Sequence, residues 1–340
     1  MHYNTYPYRD RFLGVAALRD GTVYAVGDRQ FPRQDNNPCG PISQLSYALR
    51  WDGERWQELP ELDQVVEPQQ VAASSDGGLW VFGHCPATVA SSDPAGCAAR
   101  WDGTSWTLSV LDNAQVSGAA VFGRDDVWAT TYDALHHWNG ERWRAQRPPF
   151  GVRAHALAGT ASGQVWIAGD KDGRVALARW SDRRWSLLPR PQIPRLYGAK
   201  QGETRVLDLA VGEQGEVWVL GSMHWVCGVE TMCTRPVLMR WGGGRWLLKV
   251  MPERFTVGGS IVFDGAGGLW ITVSGGLGRF TGGKWKTYPI TRGPFGGRSV
   301  AGLARRPGSA SVWAVGEDHT EAEEMPFTNG MIWRLDVKPE

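Results

Sequence analysis

Polar side chains recur at two fixed distances from one repeated aromatic residue, which is Tyr24 in the first copy and a tryptophan in the six others. Thirteen positions before this aromatic, or close to that place in the last copy, stand Arg11, Glu67, Gln115, Arg153, Arg205 and Arg298. Four positions after it come Asp28, His84, Tyr132, Asp170, Ser222, Ser274 and Glu317. Both rows contain groups that bind anions or transfer protons.

The four arginines of the first row suggest an anion-binding site if the repeat brings them together. A guanidinium group binds carboxylate, sulfate or phosphate through two parallel hydrogen bonds. Gln115 in the first row and Asp28, Asp170 and Glu317 in the second would complete a polar funnel. The alternative is that these are ordinary charged residues where strands begin and end, with side chains in solvent.

Acid–base chemistry has four candidates in the same rows or beside them. They are His84, Tyr132, His155 and Glu67, and each would need a charge-stabilising neighbour such as an arginine. Solvated polar groups at strand ends are the competing interpretation. The sequence has no H-x-H, H-E-x-x-H or paired C-x-x-C spacing, no calcium loop, no phosphate-binding loop and no G-x-S-x-G motif. We therefore predict neither a metal nor a cofactor.

The five cysteines bear on the cellular compartment. Cys85 and Cys97 flank one loop, and Cys227 and Cys233 flank the corresponding loop of another repeat, which predicts two local disulfides and an oxidising compartment. Cys39 lies in a third equivalent loop without a local partner. A secreted or periplasmic protein whose signal segment has been removed fits this pattern. Reduced cysteines in a cytoplasmic protein are the alternative.

Charge and hydropathy exclude some classes of partner. Lysine and arginine total 36 against 35 acidic residues, for a net charge of +1, so no basic surface for nucleic acid is predicted. No apolar run of membrane-spanning length occurs. We expect no membrane insertion, and we expect a monomer.

Two alternating signatures define the elements that must position these residues. The first is a turn followed by β-forming residues, as in DGTVYAVG at 20–27, and it occurs seven times. The second is an aromatic–turn–aromatic hairpin, as in RWDGTSW at 100–106, with six full copies and one partial copy. Asp-Gly and Asn-Gly between β-branched and aromatic residues are strong hairpin signals. With a preceding apolar strand, each unit has four antiparallel strands, A to D from the centre outward.

Seven such units bury both sheet faces when they are arranged radially, so the sequence predicts an all-β, seven-bladed β-propeller. HYNTYPY at 2–8 matches KWKTYPI at 284–290, which predicts that the N-terminus supplies the outer strand of the last blade. We predict a single domain spanning 1–340. The blades are assigned to residues 11–60, 66–110, 114–147, 152–190, 204–250, 256–290 and 298–336, the last together with 2–8.

The segment FDGAGGLWITVSGGLGRFTGGKWKTYPI resembles the propeller repeats of bacterial two-component sensor ectodomains and a blade of streptogramin B lyase. Hairpins such as RWDGTSW are similar to those of tectonin-like and fucose-binding propeller lectins. The resemblance implies architecture across nearly the whole chain. The lectins' Gly-Thr-Asp turn and aromatic-His pair are absent, and no catalytic residue of the lyase can be placed, so no functional residue carries over.

The repeat also isolates what is irregular. Eighteen of nineteen tryptophans fall in repeat positions, which predicts packing between blades, whereas Trp225 lies outside the pattern. Long connections are predicted on one face, where binding groups usually lie. They occupy 28–45, 84–98, 222–236, 317–330 and about 190–204, and they or neighbouring loops carry Phe31, Tyr197, Phe295 and Phe327.

Three functions fit these features. The first is an extracytoplasmic binding propeller that recognises a glycan, an anionic small molecule or a protein, with Trp225 and the loop aromatics as contacts. The second is a lyase or hydrolase that acts on an acidic substrate in the central funnel. The third is a structural module of a larger sensor or adhesin. A titratable pair within roughly 3–5 Å, beside an arginine at the channel mouth, would favour the enzyme.

Overall fold

The computed structural model describes residues 9–31, 43–62, 64–74, 76–86, 95–111, 115–160, 162–193, 203–212, 215–228, 231–252, 255, 257–290, 297–320 and 327–336. The described residues form antiparallel sheets, and a short 3₁₀ turn at Pro149–Gly151 connects two of them. No helix in this part of the chain is long and apolar enough to cross a membrane.

Each blade is a sheet whose strands follow one another in the chain. The first blade contains β1 (Arg9–Ala17), β2 (Val23–Phe31), β3 (Ser43–Trp51) and β4 (Trp56–Glu58), the second β5 (Val66–Ala73), β6 (Leu79–His84), β7 (Gly96–Trp101) and β8 (Trp106–Val110), and the third β9 (Val116–Gly123), β10 (Asp126–Thr131), β11 (Leu135–Trp138) and β12 (Trp143–Gln146). The fourth contains β13 (Arg153–Gly159), β14 (Val165–Lys171), β15 (Arg174–Ser181) and β16 (Arg184–Leu187), and the fifth β17 (Glu203–Val211), β18 (Val217–Gly228), β19 (Thr231–Gly242) and β20 (Arg245–Val250). The sixth contains β21 (Val257–Phe263), β22 (Leu269–Val273), β23 (Gly276–Thr281) and β24 (Lys284–Pro289), and the last β25 (Arg298–Arg305), β26 (Ser311–Thr320) and β27 (Phe327–Asp336).

The last three strands belong to a sheet that also contains the first blade. Its order is β25-β26-β27-β1-β2-β3-β4, with β27 and β1 joined in parallel at Arg9 and Thr328. The first and last blades are therefore neighbours, as a closed ring requires. The strand predicted at 2–8 lies outside the described residues, as do Cys39, Tyr197 and Phe295.

The aromatic hairpins form because their turns satisfy local backbone groups. In the second blade, Gly103 has φ 107°, a left-handed conformation that suits glycine. The carboxylate of Asp102 accepts the backbone N–H groups of Thr104 (2.7 Å) and Ser105 (2.7 Å). The two flanking tryptophans, Trp101 and Trp106, are then paired across β7 and β8. The turn chemistry thus fixes the register of each outer hairpin.

Tryptophans carry the packing between blades, as predicted. The inner Trp80 of the second blade packs edge-on against Trp138 and Trp143 of the third, with ring centroids 5.4 and 5.3 Å apart. Trp128 of the third blade contacts the fourth blade through Trp185, which is edge-on, and Trp180, which is tilted. These inner tryptophans are therefore buried against the hairpin of the next blade, and each contact contributes to a hydrophobic cluster between two blades.

The innermost strands surround a central cavity of about 270 Å³ to which every blade contributes. Small residues let these strands approach one another closely. A Cβ on Gly118 would lie 2.3 Å from the backbone nitrogen of Leu157 in the next blade. Asp208 is the acidic residue among the side chains that line this cavity. The seven-bladed β-propeller predicted from the repeats is confirmed.

Candidate functional site

The two polar rows of the sequence lie side by side at one end of the inner strands. In the strand register Arg11 is opposite Asp28, Arg153 is opposite Asp170, and Arg205 is opposite Ser222. Side chains that are directly opposed on antiparallel strands lie on the same face of the sheet. Arg298 is opposite Asp318, which comes one position after the second row. Each predicted anion-binding arginine therefore has a polar residue directly across the ladder.

Arg11 is held by two carboxylates. Its Nε and Nη2 donate to the two carboxylate oxygens of fully buried Asp28 at 2.7 and 2.9 Å, and Nη2 also donates to Glu67 Oε1 at 2.9 Å. Gln44 donates a further hydrogen bond to Asp28. The hydrogen bond with Asp28 is the main reason that the pKa of Arg11 rises above its ordinary value. Arg11 thus joins the first two blades, and Glu67 serves as its partner.

Arg298 and Arg205 also lie beside carboxylates. Arg298 is 3.3 Å from Asp318, and both side chains are largely covered. Arg205 is 3.5 Å from Glu203, but these two side chains are 64% and 59% exposed, so their pairing is weak. Nearby Glu317 accepts a hydrogen bond from Ser299. The four aligned arginines are therefore not electrostatically equivalent.

Arg153 differs from the other three because, among the described residues, its side-chain hydrogen-bond partner is a neutral group. Its Nη1 donates to the hydroxyl of Tyr132 at 3.1 Å, and its Cζ lies 5.5 Å from the centre of the Tyr132 ring. Tyr132 belongs to the third blade and Arg153 to the fourth. The Arg153 side chain is exposed, so its guanidinium retains hydrogen-bonding capacity toward solvent.

His155 and Asp170 complete this group. His155 Nε2 lies 3.2 Å from Asp170 Oδ2, and the His155 ring is edge-on to Tyr132 at 5.5 Å. We call Tyr132, Arg153, His155 and Asp170 the seam cluster, because it spans the boundary between the third and fourth blades. Asp170 lies opposite Arg153 in the ladder, yet its hydrogen-bond partner is the imidazole.

A bulge in β13 positions the histidine. The register of β13 against β14 shifts between Ala154 and Ala156, which leaves His155 as the extra residue. The equivalent bulges in β1 and β17 are occupied by Leu13 and Leu207, which line the central cavity. The fourth blade thus places an ionisable side chain where these two blades place an apolar one, a difference visible in the sequence once the copies are aligned on the bulge.

The remaining predicted residues lie apart from the seam cluster. Gln115 donates to Gln69 of the neighbouring blade. His84 is half-buried at the end of β6, and its Nδ1 is buried with no hydrogen-bond partner among the described residues. Trp225 is 9% exposed and pairs with Cys233 within a hairpin. Its ring is therefore not offered on the surface as a stacking platform.

The two predicted disulfides are present, at Cys85–Cys97 and Cys227–Cys233. The second closes a hairpin in which β18 and β19 continue far beyond the end of the blade, so part of the long loop predicted at 222–236 is strand. Val226 and Met232 face each other at its tip and are 66% and 61% exposed. The side chains that the structure describes contain no cluster of three or more potential metal ligands.

Comparison with known proteins supports the fold. No family model and no curated protein sequence matches this chain. Among solved structures, the extracellular domain of the hybrid two-component system BT4673 from B. thetaiotaomicron aligns with a TM-score of 0.57 and 12% identity. The alignment covers 94% of this chain and 38% of that one. The fold is a β-propeller.

Two further propellers align over nearly their whole length. YCF48 bound to D1 peptide has a TM-score of 0.56 and 13% identity, with 99% of this chain and 96% of that chain covered. The Cps50 (Swd1) propeller domain of Myceliophteria thermophila has a TM-score of 0.56 and 14% identity, with coverages of 95% and 99%. At these identities the likeness concerns architecture, and the function must be argued from the site.

Proposed function

We propose that this chain is an extracytoplasmic binding propeller that holds an anionic ligand at the seam cluster, through Arg153. The observation that carries the proposal is the contrast among the aligned arginines. Arg11 is compensated by buried Asp28 and by Glu67. Arg298 and Arg205 each lie beside a carboxylate. Arg153 is exposed and hydrogen-bonded to a neutral phenol. A guanidinium group without a carboxylate partner is suited to bind an incoming carboxylate through two parallel hydrogen bonds.

Preorganisation supports binding at this place. Tyr132 holds the guanidinium by a hydrogen bond and by its ring face, and both residues stand on the ends of rigid strands. Ser117 of the third blade donates to the carbonyl of Ala154 in the fourth at 3.2 Å, which fixes the two blades relative to each other. The side chains of Tyr132 and Arg153 are therefore already ordered before a ligand binds. Less of the binding free energy is then lost to ordering them.

The extracytoplasmic location rests on the disulfides. Cys97 is fully buried at the start of β7, and its bond to Cys85 closes a long connection. Two local disulfides in equivalent connections are typical of proteins that fold in an oxidising compartment. The sensor propeller of similar fold is itself an extracellular domain.

The test is a binding titration with a matched pair of arginine variants. Arg153→Met and Arg205→Met remove the same group from the same place in two blades, and both side chains are exposed. Calorimetric titration with carboxylate ligands should give affinities at least about tenfold weaker for Arg153→Met and unchanged for Arg205→Met. Equal losses in both variants, or none in either, would overturn the proposal.

Acid–base catalysis is the second candidate, favoured by the contact of His155 with Asp170 beside an arginine. A proton on Nε2 would be donated to Asp170, which leaves Nδ1 as the acceptor for a proton next to a substrate carboxylate. Arg153 would neutralise that carboxylate and stabilise the charge that develops on it. Tyr132 would return a proton to the leaving group, completing an elimination.

His155→Asn separates the two candidate functions. If the site is catalytic, this variant should still bind acidic substrates but lose their conversion to an unsaturated product, measured by ultraviolet absorbance. His137→Asn is the control, because His137 also contacts an aspartate, Asp126, but on an outer strand. Unchanged turnover in His155→Asn would exclude the histidine as the base and leave binding as the function.

A further inference from the structure

Two exposed aromatic residues lie in the seam cluster or close to it along the chain. Tyr132 is 40% exposed and Phe150 is 44% exposed. Phe150 lies in the 3₁₀ turn Pro149–Gly151, three residues before Arg153, in the connection that brings the chain from the third blade into the fourth. Three residues span at most about 10 Å, so Phe150 is close enough to Arg153 to offer apolar surface to a ligand that the arginine already holds.

The backbone of this turn keeps Phe150 in an uncommon conformation. Its φ is 59°, in the left-handed region that non-glycine residues rarely adopt, and Gly151 follows with φ 69°. The hydrogen bond from the Val152 N–H to the Pro149 carbonyl at 3.2 Å closes the turn around it. Such residues cluster at ligand-binding positions, where the surrounding structure holds them. The turn therefore presents the ring outward instead of burying it.

The charges of the seam cluster restrict the chemistry of the ligand. Arg153 needs an anion, but Asp170 lies directly across the ladder from it and next to His155. A free sulfate ion or a phosphate monoester carries close to two negative charges at about pH 7, and the second would lie against that carboxylate, which is unfavourable. A ligand with one carboxylate and several hydroxyl groups avoids this, because its hydroxyls donate to Asp170 while its carboxylate accepts from Arg153.

We propose that the ligand is an acidic sugar of the hexuronate type, bound with its carboxylate at Arg153, hydroxyls at Asp170 and His155, and the C–H face of its ring against Phe150. A pyranose ring has an apolar face that packs on aromatic side chains, and its vicinal hydroxyls match a carboxylate acceptor. The proposal rests on the proposed function, since Arg153 must hold the anion in both.

The test compares glucuronate and galacturonate with neutral glucose, with citrate and with a short peptide that ends in a free carboxylate, each titrated by calorimetry. The native chain should bind at least one uronate about tenfold or more tightly than glucose. Phe150→Ala should weaken the uronate about tenfold and leave citrate unchanged. Leu247→Ala, which removes an apolar side chain of similar exposure (48%) from β20 of another blade, is the control and should change neither.

The outcomes separate this proposal from the one on which it rests. If citrate or the peptide binds in an Arg153-dependent manner and no uronate does, the acidic-sugar proposal fails and the proposed function stands. If no anion depends on Arg153, both fail. Equal weakening of every ligand by Phe150→Ala would also overturn the sugar proposal. The melting temperature of Phe150→Ala, measured alongside, identifies loss of folding as a separate cause.

Discussion

Arg11 and Arg153 occupy the same place in two blades, and their neighbours give them different roles. Arg11 is enclosed by Asp28 and Glu67, whereas Arg153 has a phenol for a partner and remains exposed. Removing either partner of a covered ion pair is destabilising, while an exposed cation is available to a ligand. Residue identity at an aligned position is therefore a poor guide to function until the opposing strand is known.

Asp28→Asn should destabilise the protein strongly. The substitution leaves the guanidinium of Arg11, whose side chain is 14% exposed, without its buried carboxylate partner. Breaking a buried ion pair from one side costs about 3–5 kcal/mol, and the remaining bond to Glu67 would place the effect near the lower value. Urea denaturation measures it. The control is Glu203→Gln at the exposed Arg205 pair, expected to change stability by less than about 1 kcal/mol.

Phe150→Gly should raise stability while it weakens ligand binding. Glycine adopts a φ of 59° without the steric cost that phenylalanine has, and the exposed ring loses few contacts. The free energy of unfolding should rise by about 1 kcal/mol, measured by urea denaturation. A decrease would show that the ring stabilises the fold and is not held there for a ligand.

Asp208, which lines the central cavity, should make the free energy of unfolding depend on pH. Burial raises its pKa to about 7, although it accepts backbone N–H groups from Leu209 and Ile261. The folded state then holds a proton that the unfolded chain, with an ordinary pKa of 3.8, releases. The contribution of Asp208 is therefore greatest below pH 4 and falls as the pH rises toward 7.

The measurement compares the native chain with Asp208→Ser, which introduces the residue found at the equivalent place, Ser260, in the next blade. Between pH 4 and 7 the native free energy of unfolding should decline relative to the variant by up to about 1.4 kcal/mol per pH unit. Parallel pH curves for the two proteins would contradict the raised pKa.

At the scale of elements, the two disulfides lie in different surroundings. Cys97 is buried within β7 of the second blade, whereas the Cys227–Cys233 bond lies in the part of the β18–β19 hairpin that extends past the neighbouring strands. The neighbouring strand β20 pairs with β19 only from Val237 onward, and β17 pairs with β18 only as far as His224. The tip is thus a two-stranded hairpin, which is marginally stable without a cross-link.

Replacing both Cys227 and Cys233 by serine should therefore act locally. Amide hydrogen exchange at the tip should accelerate, with little change in the melting temperature of the whole protein. The paired change at Cys85 and Cys97 should lower the global free energy of unfolding by about 3 kcal/mol, the usual size for a loop of this length. A large global loss from the hairpin variant would mean that the tip packs against the rest of the molecule.

The strand pattern shows what the sequence alone could predict. Turn residues and the two aromatic signatures specify the hairpins locally, so the blades follow directly from the repeats. The same turns fix the register of the inner strands, so the sequence also predicts that the two polar rows lie on adjacent strands. The pairing of Arg11 with Asp28 depends on side-chain geometry across two blades, and a row of similar residues does not reveal it. The bulge at His155 and the turn at Phe150 depend equally on tertiary packing.

At the scale of the whole molecule, the ring depends on close approach of its innermost strands. Gly118→Ala should separate the third and fourth blades, because the added Cβ would lie 2.3 Å from the Leu157 nitrogen. Gly297→Ala is the matched control, since nothing lies within 4 Å of its added Cβ. We expect Gly118→Ala to lower the melting temperature and Gly297→Ala to leave it unchanged. Gly118→Ala should also weaken anion binding, because the seam cluster spans the boundary between the third and fourth blades.

The seam cluster joins two sheets that share no ladder of main-chain hydrogen bonds, since β9–β12 and β13–β16 are separate sheets. A ligand that contacts Tyr132 in the third blade and Arg153 in the fourth would link the two blades. Because it binds the assembled ring and not the unfolded chain, its occupancy stabilises the fold, by about 2.7 kcal/mol at a hundredfold excess over the dissociation constant. Resistance to heat or to proteolysis would then report on ligand concentration, and a thermal-shift screen of acidic sugars would exploit the same coupling.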